Sequence, residues 1–258
     1  MIIVSQPKLS LSLTALDTTD VHRGGMTGLW MTLKQLEEKY PTPSQRPGNL
    51  IWDLTTTTIT LDWQGQDLPV IDWLLKQSFQ ISDKGLIRFI GLDRSLNLIN
   101  QIHIHQAIHD TFLRHNRFYK KEKESSEVLQ IKDESIKLKY RALNWYVHQT
   151  FAENLCDESG YLIDGYIQIV SWLYPGATVR HAKLDKETKI EEKTEYALAL
   201  LFLPLVCQYF ILHSDSAKSD KKQPTRYAIA ITDINNLSLI HISEPTRPSK
   251  SSRMPSSA

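Results

Sequence analysis

The densest chemistry in this chain lies in one octet, "HIHQAIHD", His103 to Asp110. His105 and His109 are four residues apart and would share one helix face, a spacing that can chelate a transition metal. His109 and Asp110 also form the His-Asp pair at the heart of HD-type phosphohydrolases. A metal-dependent phosphohydrolase using His105, His109 and Asp110 is therefore one function to weigh. Against it, the octet lacks an HExxH glutamate, and no further well-spaced ligand set accompanies it. Ordinary surface or hydrogen-bonded structural histidines are the favoured reading. Walker A, GxGxxG and GxSxG patterns are absent as well. The expectation is a chain with no catalytic residues, no metal and no cofactor.

Basic residues offer a second chemistry, phosphate binding. They gather at Arg114–Lys123, Lys137–Arg141, Arg180–Lys189 and Lys218–Arg226. The segment "IKLKYRA" is the most regular of these. Ile136, Leu138, Tyr140 and Ala142 alternate with Lys137, Lys139 and Arg141. On a strand the first set faces the core and the second forms one basic row. Its members repeat every ~6.6 Å, comparable to phosphate spacing along a nucleic-acid strand. Phe118, Tyr119 and Tyr140 are interleaved with these clusters and could stack on bases. The candidate nucleic-acid-binding residues are Arg23, Lys137, Lys139, Arg141, Arg180 and His181. Arg23 belongs to "HRGGMTGLW", where Gly24 and Gly28 are one helical turn apart. Close approach of another backbone is the favoured reading of those glycines; exposed amides holding a phosphate are the alternative.

These residues need elements to position them. "KLSLSL" alternates with period two and predicts a strand. Met26, Leu29, Leu33, Leu36 and Tyr40 recur at helical spacing, with Thr19 or Asp20 as the cap and Pro41 and Pro43 as the stop. "NLIWDL" and "TITLDW" predict a strand pair joined through threonines. A second helix runs to Phe79, capped by Asp67, and "GLIRFIGL" is a fourth strand. The order is β-α-β-β-α-β, that of a ferredoxin-like unit, and the fold class is α+β. RNA-recognition domains share this order, but their aromatic RNP1 signature is missing from "TITLDWQG".

Further along, a helix is expected from Ser95 to about Arg117 and a hairpin around Asp133–Ser135. Asn144–Cys156 and "IDGYIQIVSWLYPG" read as helices, as does "EEKTEYALALLFLPLV". "CQYFILH" and "RYAIAI" read as strands. The resulting division is an N-terminal α+β unit over 1–118, a charged linker over 119–126, and a second mixed α/β region over 127–236, incomplete at its C-terminal side.

The last stretch, 237–258, is rich in proline and serine and keeps no helix or strand period past Ile242. Back-translated with one permitted codon set, Leu237–Arg247 and Ser252–Ala258 read as two stretches of a transposase-type sequencing adapter. Residues 237–258 are accordingly expected to be a non-native, disordered tail, and the rest an N-terminal piece of a longer protein. The whole chain carries a formal charge of +1. A globally basic nucleic-acid binder is excluded, so any such surface is local. No apolar run reaches the ~18 residues of a membrane helix. Polar residues follow Met1–Val4 at once, which predicts no signal peptide. The two cysteines, Cys156 and Cys207, are isolated, which fits a cytoplasmic, disulfide-free protein.

Several segments taken in order resemble one family. "HRGGMTGLWMTLKQLE", "WDLTTTTITLDW", "WLLKQSFQISDKGLIRF", "YPGATVRH" and "LLFLPLVCQYFIL…RYAIAITDI" are similar to the N-terminal part of the large subunit of type I CRISPR surveillance (Cascade) complexes. The nearest likeness is to the branch called the MYXAN subtype, which is related to large subunits of some CRISPR-guided transposon systems. The resemblance covers most of residues 8–236 and rests on packing motifs. It implies a non-catalytic DNA-binding subunit that reads the protospacer-adjacent motif in target DNA beside guide RNA-bearing partner subunits. A helicase-nuclease or a transposase would act afterwards. A plain protein-interaction module is the remaining alternative.

Overall fold

The computed structural model describes residues 7–92, 96–113, 124–131, 134–175, 190–212 and 226–238. Arg180 and His181, and most of three of the four basic clusters, lie outside them.

Leu9, Leu11 and Leu13 point into the core, which makes Leu9–Ser12 the strand β1. Helix α1, Asp20–Lys39, follows and buries Met26, Leu29, Leu33 and Leu36. The hairpin of β2 (Ile51–Leu54) and β3 (Thr58–Asp62) turns through the threonines, where Thr55 Oγ1 accepts the N–H groups of Thr57 and Thr58. The carbonyls of that turn take further donors. Thr55 accepts Trp30 Nε1–H, Thr56 accepts the Leu237 N–H and Thr57 accepts the Leu13 N–H.

The three strands form an antiparallel sheet in the order β1-β3-β2. Helix α2 spans Leu68–Ser78. Phe79 does not end that helix but opens β4 (Phe79–Ile81), which pairs with β5 (Ile87–Phe89). The expected fourth strand therefore exists but pairs locally across the Ser82–Gly85 turn, so the described residues form an α+β fold without a closed ferredoxin-like sheet.

The Asp67 side chain does not cap α2. Its Oδ1 accepts Lys8 Nζ at 2.7 Å and Trp63 Nε1 at 2.8 Å, and its Oδ2 accepts the Leu162 N–H at 2.8 Å. Burial alone would raise its pKa, but these donors, Lys8 foremost, hold it below the ordinary carboxylate value. The carboxylate joins β1, β3 and the 155–163 loop instead of serving its own helix.

Helix α3 (Leu98–Thr111) starts where the Asn97 side chain accepts the Asn100 N–H. A long hairpin follows, β6 (Glu124–Ile131) with β7 (Glu134–Arg141), so residues 124–126 are strand and not linker. Between Asn144 and Cys156 the expected helix is two short pieces, a single 3-10 turn at Val147–Thr150 and α4, Ala152–Leu155.

"IDGYIQIVSWLYPG" is not a helix. Ile167 and Ile169 are buried while Tyr166 and Gln168 are exposed, a period of two, and Tyr166–Ile169 is strand β8. It pairs with β9, Ile190–Lys193, which takes the place of the first turn expected for the next helix. That helix, α5, is Thr194–Leu200. Its apolar residues cover every side, which marks a helix buried all round. β10 (Gln208–Leu212) and β11 (Arg226–Ala230) form the last hairpin.

Helix α5 and the residues just after it press on α1 through glycine. A Cβ on Gly25 would collide with the Ala199 carbonyl, and one on Gly28 with the Phe202 carbonyl. A Cβ on Gly24 would meet only side chains, Leu203 nearest, then Ile231 and Val206. The backbone approach expected of Gly24 and Gly28 is thus made at Gly25 and Gly28. This contact closes the glycine face, so it presents no amides to a phosphate.

One buried cluster draws on both sides of the charged segment, from Leu9 to Leu237, so the two units expected from sequence share a core. Leu237, the first residue of the expected tail, is fully buried in it. An apolar side chain beside the threonine turn, with its N–H on Thr56, makes native contacts that the polar residues after it predict poorly. Residues 239–258 lie outside the described region. Cys156 and Cys207 are buried free thiols, raised by that burial to about 11 and about 12. Among the described residues no helix is long and apolar enough to cross a membrane.

Candidate nucleic-acid interface

The β6–β7 hairpin displays the basic row as the alternation predicts. Lys137, Lys139 and Arg141 are exposed, while Tyr140 is buried against Leu86 and Ile102. Register places Val128, Ser126 and Glu124 opposite these three cations, so the partner strand contributes one carboxylate to the same face. Glu124 Oε1 takes Lys139 Nζ at 3.0 Å. Lys137 faces Val128, a strongly exposed apolar side chain.

The hairpin is fixed from behind by side chains on β7 backbone groups. Gln106 Nε2 donates to the Lys139 carbonyl, and His105 Nε2 donates to the Arg141 carbonyl at 2.6 Å. Tyr140 Oη donates to the Lys84 carbonyl at 3.1 Å. Tyr140 is therefore part of the packing and is not free to stack on a base, contrary to the sequence expectation.

His105 is fully buried and hydrogen-bonded at both ring nitrogens. Its Nδ1 accepts the Ile87 N–H at 3.2 Å, which leaves the proton on Nε2 for Arg141. Burial lowers its pKa to about 4. With both nitrogens on backbone partners, no lone pair is left for a metal shared with His109. His109 lies 3.8 Å from Asp110, its neighbour in sequence. Among the described residues no group of three or more His, Cys, Asp or Glu side chains converges as a metal site.

Arg23 is not part of the hairpin face. It pairs with Asp233 at 3.4 Å and Asp20 at 3.9 Å at the start of α1. A guanidinium between two carboxylates has much of its field cancelled locally, which lowers its value as a phosphate contact. Of the six candidate residues, the structure brings together Lys137, Lys139 and Arg141.

A polar cluster that the sequence does not reveal lies at the same end of α1. His22 Nδ1 accepts the Thr19 N–H at 3.2 Å, and its Nε2 donates to Glu192 Oε2 at 2.9 Å. Tyr174 donates to the same carboxylate oxygen at 3.0 Å. Burial would raise the Glu192 pKa, but the His22 and Tyr174 bonds outweigh it and lower the value. Tyr196 stacks on His22 with ring centres 4.7 Å apart and donates to Asp17, which also pairs with Lys193. Each group is satisfied by its neighbours, so the cluster fastens β9 and α5 to the start of α1. Glu192 is 170 residues from His22, and no local spacing could have linked them.

His148 is the third structural histidine. Its Nδ1 donates to the Leu201 carbonyl at 2.8 Å, and its Nε2 accepts from Tyr146 Oη at 3.0 Å. It lies between the rings of Tyr146 and Trp172, and complete burial lowers its pKa to about 3.

A family model for the DevT N-terminal domain matches residues 10–201. The chain belongs to that family. The matched span runs from β1 through α5, so the DevT N-terminal domain takes in the Gly25–Ala199 contact, the His22–Glu192 cluster and the basic hairpin. No curated protein matches the chain.

Proposed function

We propose that this DevT N-terminal domain is a non-catalytic, nucleic-acid-binding part of the large subunit of a type I CRISPR surveillance complex, cytoplasmic and acting in antiviral defence. The observation that carries it is the exposed row Lys137, Lys139 and Arg141, held on a hairpin whose other face is packed. Such a row meets phosphates and positions a duplex without reading its bases. The order of the segments that resemble Cascade large subunits supports the same reading. In this role the protein helps recognise the protospacer-adjacent motif of target DNA beside guide RNA-bearing subunits, and pairing with the guide reads the remaining sequence. A helicase-nuclease or a transposase then acts on the opened target.

Two measurements test this reading. Co-expression with the effector-subunit genes beside its own and with a guide RNA should yield a complex containing this chain; a chain that never co-purifies overturns the assembly role. Within that complex, replacing Lys137, Lys139 and Arg141 by Ala should leave folding intact. It should weaken DNA binding alike for all motifs and flatten the log–log salt slope by about 2, because Lys139 must first release Glu124. Unchanged affinity and slope would reduce the row to a solvated face. Loss for one DNA sequence alone would mean that the row reads bases.

A further inference from the structure

A groove of about 560 Å³ lies between the end of α1, the β4–β5 hairpin and the first half of α3. It is within the usual size of a small-ligand site, ~300–1,000 Å³. Ile90, Leu92 and Ile104 give it an aliphatic wall. Its polar groups are of two kinds. Lys39 and Arg88 are cations, and the exposed Arg88 guanidinium has no ion pair or hydrogen bond with any described residue. Glu38, Gln80 and Gln101 supply acceptors.

The two glutamine amides are oriented. Gln101 Nε2 donates to the Leu96 carbonyl at 2.7 Å, and Gln80 Nε2 donates to the Gln77 carbonyl at 3.4 Å. Each amide nitrogen is thereby held by the backbone, and each Oε1 is left without a partner among the described residues. The groove thus combines a planar cation without a partner among the described residues, an apolar wall and three oxygen acceptors. A simple anion would use the cation and repel Glu38. A purely apolar ligand would leave Arg88 and the amides desolvated and unmatched.

We propose that this groove holds one unstacked ribonucleotide whose base carries an exocyclic amine. The phosphate pairs with Arg88, which can bind its oxygens bidentately. The base lies on the aliphatic wall, and its amine donates its two hydrogens to Gln80 and Gln101. Glu38, the third acceptor, takes the 2′-hydroxyl, the group that separates RNA from DNA. This inference rests on the nucleic-acid-binding reading above and adds to it a site away from the basic hairpin, with a stated preference.

Backbone amide shifts of the whole chain, followed by NMR while AMP, IMP, dAMP or inorganic phosphate is added, test it directly. AMP should move the amides of β5 and α3. IMP, which has a carbonyl oxygen in place of the amine, should bind about tenfold more weakly, as should dAMP, and phosphate alone should bind weakest. Arg88→Ala should weaken AMP at least about tenfold without changing the melting temperature, because the side chain is exposed and has no partner among the described residues. Ile104→Trp should fill the groove and abolish the shifts. Equal binding of AMP and IMP, or AMP shifts confined to other surfaces, overturns the proposal. An oligoadenylate of about ten residues separates the two readings. If it binds and is lost with the Lys137/Lys139/Arg141 triple variant but is indifferent to Arg88→Ala, the groove proposal fails while nucleic-acid binding stands. If it binds no variant and not the unaltered chain, both fail.

Discussion

Where α1 meets α5, backbone touches backbone, and a single methyl group on Gly25 or Gly28 has nowhere to go. On the β6–β7 hairpin, three long cationic side chains stand in water, and the packing beneath them is a small cluster of Leu86, Ile102 and Tyr140. The hairpin lies within the matched family span, and the crossing does so as far as Leu201, one residue before Phe202. They differ in what a substitution changes. At the crossing, side-chain volume decides whether the two helices can pack at all. On the hairpin face, volume is free and charge is the variable. If the row binds nucleic acid as proposed, folding and binding are carried by separate residues, and each can be altered without the other.

The sharpest way to break this contrast is at the glycines. Gly28→Ala should cost about 3 kcal/mol or more, since the clash is with the Phe202 carbonyl and not with the end of a movable side chain. Gly25→Ala should behave likewise against Ala199, and the double variant should fail to fold. Gly24→Ala meets side-chain methyls and no backbone, Leu203 Cδ1 nearest at 2.7 Å with Ile231 and Val206 beyond it, and should stay within about 1 kcal/mol, helped by better helix propensity. Urea unfolding of the three single variants checks the ranking. Equal losses at all three positions would deny that the carbonyl contacts set the crossing.

Leu237 gives the next effect. Leu237→Ala should cost about 2–3 kcal/mol, as for other fully buried leucines. A chain ended after Ser238 should match the full chain within about 0.5 kcal/mol, whereas one ended after Asn236 should show the Leu237 loss. Equal stability of the two shortened chains would mean that Leu237 contributes nothing.

The elements legible in sequence are those whose period lies within one segment. β1, α1, the threonine hairpin and the Lys137–Arg141 alternation are of this kind. Tyr166–Ile169 reads as helix from sequence because its two isoleucines are followed by apolar residues that extend the run toward helical length. Phe79 reads as part of α2 because strand and helix patterns join there without a turn residue. The basic row was visible, but its accompanying Glu124 was not, because cross-strand partners depend on register. The His22–Glu192 bond and the two carbonyls facing Gly25 and Gly28 required the chain to return from about 170 residues away. Asp67 looked like a cap by position, yet the nearby Lys8, Trp63 and Leu162 donors claim its carboxylate.

Acid should probe two buried histidines, His148 on the Leu201 carbonyl and His105 on the Arg141 carbonyl behind the β6–β7 hairpin. His105 and His148 have folded pKa values of about 4 and about 3, below the ordinary 6.5. Between those values and 6.5 the unfolded chain binds protons that the folded chain refuses. Stability is therefore complete above pH ~6.5 and falls as pH drops, by up to about 2.7 kcal/mol per unit with both histidines. Urea midpoints between pH 7 and 5 should show the fall, and the two imidazoles should not titrate in the folded protein above pH 5. A flat profile would mean that the histidines are not held neutral by the core.

The smallest stability effect is the most informative for the hairpin. Glu124 stands opposite Arg141 and pairs diagonally with Lys139 at 3.0 Å, with both side chains 62% exposed. An exposed pair of this kind contributes ~0–1 kcal/mol, so Glu124→Gln should leave stability within about 0.5 kcal/mol. Its effect on binding has a definite sign. The carboxylate repels phosphate and occupies the central cation of the row. Removing it should raise DNA affinity a few-fold at low salt and steepen the salt slope by up to about 1, as Lys139 becomes free to displace a counterion. The same change made with Lys139→Ala should gain less, because there the released cation is missing; the difference between the two gains measures the coupling. Equal gains would point to a general field effect of one lost negative charge. No gain in either background would place the bound nucleic acid away from this face, and the hairpin would then be a solvated strand pair whose cations keep its edge from pairing with other chains.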